Sequence, residues 1–132
     1  MEYFIKEDGS YYEGDQIDPS DLAVVQRPGP DYTWENDAWI IDIVKQKKRI
    51  IDLMQVHMDE KAVVYGYDHI LSAVSYSDST VEEWRTEGTA FKAWREAVWS
   101  FGLSLLAAIE AGTNTITTEA ELLAALPAFP LD

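Results

Sequence analysis

Between Trp84 and Ile109 the apolar residues recur at helical spacing, and this stretch constrains the fold more than any other. In "EEWRTEGTAFKAWREAVW" and the residues after it, Phe91, Trp94, Val98, Phe101 and Leu105 alternate steps of three and four. That is the seam a helix turns toward a partner helix. Trp84 stands one heptad before Phe91, and Trp99, Leu103, Leu106 and Ile109 form an adjacent stripe. So broad an apolar arc predicts burial against two neighbours, not one. The predicted structural core is therefore Trp84, Phe91, Trp94, Val98, Trp99, Phe101 and Leu105. Each buried aromatic stabilises such a layer by on the order of 2–3 kcal/mol. Gly88 and Gly102 interrupt the stretch, and each costs a helix up to about 1 kcal/mol relative to alanine. A close helix crossing or a local bend would explain either one.

The remaining elements follow from period and punctuation. Val44, Ile51, Met58 and Tyr65 repeat every seven residues, with Ile43, Ile50, Met54 and Ala62 widening the stripe, which predicts a second long helix. Gly66 suits its end, and Asp68 can cap a short helix in "HILSAVSY". Ser79 with Glu82, and Thr118 with Glu121, have capping-box spacing. Expected helices thus run over about 41–65, 68–76, 79–112 and 118–126.

The first forty residues read differently. Asp8-Gly9 separates two β-prone runs and suits a type I′ hairpin turn. Leu22 to Pro28 is a third strand candidate. A second hairpin turning at Asn36-Asp37 would set Trp34 directly opposite Trp39, whereas a helix capped by Asp37 is the competing expectation. The predicted class is α+β: a small antiparallel β-rich region over 1–40, then a helical region over 41–132 with two long packed helices.

Composition narrows function mainly by exclusion. The chain has 132 residues, no cysteine and a formal charge of −14. Net charge is −9 over residues 1–42, +2 over 43–64 and −7 thereafter. Such acidity repels phosphate backbones, so no nucleic-acid partner is expected, and "KQKKR" is too short to reverse this. No apolar run approaches the roughly 20 residues of a membrane span, and the acidic start is no signal peptide, so no membrane partner is expected. His57 and His69 lack the companions of a metal site. Neither a nucleophile elbow nor a phosphate-cradling glycine loop is present. The chain reads as a non-enzyme without cofactor or metal. Tyr11, Tyr12, Arg27, Tyr32, Trp34 and Trp39 are the candidate partner-binding residues, with packing onto the helices as the alternative for each aromatic.

One longer pattern adds a family. Gly66, Tyr67 and Asp68 are followed by Ser75, Tyr76, Ser79 and Thr80, then by Trp84 and Glu87. Next come Ala90, Phe91, Trp94, Arg95, Glu96, Val98 and Trp99, and the pattern closes on Leu126 and Pro127. With Arg27-Pro28, Trp34 and Trp39 ahead of it, this skeleton resembles bacteriophage tail fibre assembly proteins, or tail-associated chaperones, over about residues 20–127. His69 where serine is usual, and Ile116-Thr117 for Pro-Thr, depart from it. The resemblance implies a viral protein that binds the C-terminal, distal end of a tail fibre. Its implied location is the host bacterial cytoplasm during assembly, or the virion tail. Two alternatives stand beside it. One is a permanent tail component, a homo-oligomer held by the Phe91–Leu105 seam. The other is an acidic phage-encoded inhibitor of a host nucleic-acid-binding or defence protein.

Overall fold

A computed structural model describes residues 1–132. The protein is α+β: short antiparallel strands in two sheets precede four helices. The chain forms two compact units, residues 1–46 and 47–132.

In the first unit, β1 (Tyr3–Ile5) lies between β2 (Tyr11–Glu13) and β3 (Leu22–Ala23), antiparallel to both. The turn between β1 and β2 is not the expected two-residue one. Gly9 alone has positive φ, at 87°, and the Lys6 N–H donates to Ser10 O while the Gly9 N–H donates to Lys6 O. This is a three-residue loop with glycine at its left-handed position. The Asp8 carboxylate prefers to accept from the backbone N–H and hydroxyl of Ser10 (2.9 and 2.6 Å), which holds its own pKa below the ordinary value. The third strand is shorter than Leu22–Pro28; only its first two residues pair.

The second hairpin forms as expected. Strands β4 (Tyr32–Glu35) and β5 (Ala38–Ile41) join through Asn36 and Asp37 at φ 49° and 61°, a type I′ geometry, and Trp34 pairs with Trp39. Helix α1 (Ile43–Val64) then starts where Asp42 caps it, accepting from the Lys45 N–H at 3.1 Å.

In the second unit, α1, α2 (Ile70–Val74), α3 (Glu82–Ala111) and α4 (Glu119–Ala125) contribute to one hydrophobic core. On α1 the buried row is Ile50, Met54, Met58 and Ala62, spaced by four. The heptad row does not hold: Val44 is 79% exposed, and Ile43 and Ile51 are also exposed. Ile43 and Val44 lie in the first turn, ahead of Ile50, the first residue of α1 in the core, so the apolar stripe starts before the core does.

Capping decides the shorter helices. Asp68 does not cap α2. His69 does, its Nδ1 accepting from the Ser72 N–H at 3.3 Å, and Asp59 reaches from α1 to accept the Ile70 N–H at 3.0 Å. Ser79 does not cap α3 either. Its hydroxyl accepts from the Val81 N–H, so the helix starts later, with Val81 at the N-cap and no side-chain cap. Thr118 caps α4 as expected, its Oγ1 accepting the Glu121 N–H, but the return half of the box differs: Glu121 Oε1 accepts the Thr118 hydroxyl rather than its backbone N–H (3.1 Å each).

The seam of α3 faces inward. Phe91, Trp94, Val98 and Leu105 are buried, while Phe101 and Trp99 are half-buried against the same core. Trp84 departs from expectation and is 45% exposed. It lies in the first turn of α3, where the ring it meets is Tyr76, edge-on at 5.7 Å. Leu103, on the second stripe, is exposed as well. The glycines mark close approaches. A Cβ on Gly88 would stand 2.5 Å from the backbone N of Ser77 and 2.6 Å from the carbonyl carbon of Tyr76. On Gly102 it would meet only the flexible end of Met54, at 2.7 Å from Cε.

Candidate functional site

The aromatic residues of the first unit assemble by strand geometry. Because the Asn36-Asp37 turn sets Trp34 against Trp39, the two indoles pack edge to face with centroids 5.2 Å apart. Tyr11 on β2 packs against the same Trp39 at 5.3 Å and 88°, which brings together strands of two different sheets. The Trp39 indole N–H donates to the Val25 carbonyl at 2.9 Å, so that ring is fixed by its polar edge.

Tyr11 is the hub. Its hydroxyl donates to Glu13 at 2.8 Å and accepts the Arg27 backbone N–H at 3.2 Å. The Arg27 guanidinium lies 4.8 Å over the Tyr11 ring, a cation–π arrangement. Burial raises the Tyr11 pKa, and the bond to Glu13 adds to this because a carboxylate acceptor favours the protonated phenol, while the Arg27 N–H opposes it.

Tyr11, Arg27, Tyr32, Trp34 and Trp39 thereby line one open cleft of about 280 Å³. Five of the six candidate partner-binding residues meet there. Tyr12 does not. It alternates to the other face of β2, stacks on Phe4 at 5.4 Å, donates its hydroxyl to the buried Asp21 carboxylate and accepts the Ile17 N–H at 2.9 Å. Tyr12 is a strut for the 16–21 loop, and its pKa is raised, first by burial and then by the bond to Asp21.

Sequence reasoning missed two charged members of the cleft, Glu35 and Lys45. Glu35 flanks Trp34 on β4, and Lys45 lies in the first turn of α1. The available signal was charge: Lys6, Arg27 and Lys45 are the only cations among the first 46 residues, and two of them line this cleft. Also missed was the C-terminal segment as core. Phe129 is buried against Phe91 (4.4 Å), Trp94 (5.2 Å) and Tyr65 (5.3 Å), and the Trp94 indole N–H donates to Pro127 O at 2.8 Å. An aromatic between two prolines carries no periodicity to reveal it.

In the helical unit, one polar contact carries a marked pKa shift. Tyr67 donates to Glu87 at 2.9 Å, and its pKa is pushed up to about 12, mainly by burial and then by that bond. It fastens the segment before α2 to α3. No helix is long and apolar enough to cross a membrane. Compared with protein-family models, with curated proteins and with solved structures, the chain matches none.

Proposed function

We propose that this protein is a non-enzymatic binding helper of the phage tail fibre assembly kind, engaging the distal part of a fibre through the strand-rich unit. The observation that carries the reading is the convergence of Tyr11, Arg27, Tyr32, Trp34 and Trp39 on one open cleft. Tyrosine, tryptophan and arginine are the residue types most enriched where protein partners bind. The sequence pattern from Gly66 to Pro127 supplies the kind of partner. Much of that pattern's apolar part lies in the core, Phe91, Trp94 and Val98 among it, although Trp84 is exposed. Recognition is then left to the first unit, and the net charge of −14 keeps a complex with apolar fibre surface soluble.

Co-purification with the C-terminal part of the tail fibre protein from the same genome tests the reading. The expected result is capture by the wild type and loss of capture with Trp34→Ala. Fibres that fold and trimerise normally in a strain lacking this gene would overturn it.

Permanent membership of a tail remains a second reading, but the seam offered for self-association is occupied. Phe91, Trp94, Val98 and Leu105 are covered within the fold. An oligomer would need another surface.

A further inference from the structure

The cleft has a charge pattern as well as an aromatic one. Arg27 and Lys45 both line it in a unit that is otherwise acidic, and neither is paired with a carboxylate of this chain. Stacking on Tyr11 uses one face of the Arg27 guanidinium and leaves its in-plane N–H groups to a ligand. The backbone beneath is held, since the Arg27 N–H donates to the Tyr11 hydroxyl. A stacked, pre-positioned guanidinium, with a second cation in the lining of the same cleft, suits a planar carboxylate.

We propose that the cleft takes a segment of a partner polypeptide carrying a single Glu or Asp, its carboxylate on Arg27 and Lys45 and a neighbouring apolar side chain against Trp34 and Trp39. This deepens the function proposed above and rests on the cleft being the partner surface. Three observations select the occupant. The volume of about 280 Å³ admits one acidic side chain and one apolar neighbour. Glu35 in the same lining repels a second carboxylate. The surrounding charge of −14 rejects a polyanion, including nucleic acid, at long range. A lone carboxylate meets less of that repulsion than a polyanion, because the repulsion grows with the number of like charges brought up.

The test uses the full-length protein labelled with nitrogen-15 and two blocked tripeptides, acetyl-Leu-Glu-Leu-amide and acetyl-Leu-Gln-Leu-amide. The Glu peptide should shift the Trp34 and Trp39 indole N–H signals saturably, with a Kd on the order of 1 mM. The Gln peptide, and the Glu peptide with Arg27→Gln, should each bind about tenfold more weakly, as expected for loss of a charged hydrogen bond. Lys45→Gln, on an exposed helix position, should weaken binding about threefold without disturbing the fold. Equal binding of the two peptides would overturn the carboxylate assignment while leaving capture of the fibre segment, and so the broader function, intact. Shifts confined to residues outside the cleft, or none up to about 10 mM peptide, would overturn the inference as well. Failure of capture itself is the separate mark against the broader function.

Discussion

The two units use the same residue types in opposite ways. In residues 47–132, Phe91, Trp94 and Phe129 are packed out of water, and their neighbours Tyr65 and Tyr67 close over them. In residues 1–46, Tyr11, Tyr32, Trp34 and Trp39 are only half-buried and pack on one another around an open cleft. Length explains much of the contrast. A 30-residue helix offers a continuous stripe that neighbouring helices can cover, whereas strands of two to four residues cannot enclose an indole. Aromatic content therefore says little about burial until the element carrying it is known.

The largest test of this contrast is truncation. Trp94→Ala should cost about 3–5 kcal/mol, since it empties a fully packed site and orphans Pro127 O. Trp39→Ala should cost clearly less. Urea denaturation of both variants would break the comparison if the two losses were equal.

Next come the glycines. Gly88→Ala drives a methyl into backbone at 2.5–2.6 Å and should destabilise by about 1–3 kcal/mol despite the better helix former. Gly102→Ala meets only the end of the Met54 side chain, and up to about 1 kcal/mol of gained propensity offsets its displacement. Thermal midpoints of the two variants should separate in that order. Similar midpoints would mean that the Tyr76–Ser77 backbone does not press on α3 at Gly88 as described.

A smaller effect should appear at alkaline pH. The Tyr67 pKa lies above its ordinary 10.0, at about 12, so the folded state holds this proton more tightly than the unfolded chain. The associated stability is fully present below pH 10 and is lost as pH rises from about 10 to about 12. Denaturation midpoints measured across that window should fall for the wild type and fall less for Tyr67→Phe.

The smallest change belongs to the strand-rich unit. Asp37 holds φ at 61° on a residue type that tolerates it with some strain. Asp37→Gly should leave stability within about 0.5 kcal/mol and keep the Trp34 and Trp39 indole signals in place. Loss of those signals would show that the turn's side chain, rather than its backbone angle, sets the cleft.

Local chemistry in the sequence was enough for several of these elements. The Asn36-Asp37 dipeptide dictated the turn and hence the Trp34–Trp39 pair, because a two-residue loop leaves one register. The three-and-four stepping of α3 dictated which of its residues face inward from Phe91 on, and Thr118 with Glu121 dictated where α4 begins. What lay beyond reach required partners distant along the chain. Trp84 stays exposed because no element covers the first turn of α3 beyond Tyr76, and Phe129 is buried because the C-terminal segment returns across Phe91 and Trp94. Tyr12 leaves the cleft for the same kind of reason: its hydroxyl finds Asp21 in a loop nine residues on. Tertiary structure alone joined Tyr11, Arg27 and Lys45 to the tryptophan pair, since they come from a neighbouring strand, a loop and a helix start. Turns, caps and periodicity act over a few residues and can be read along the chain; enclosure and charge juxtaposition depend on what folds back over a residue.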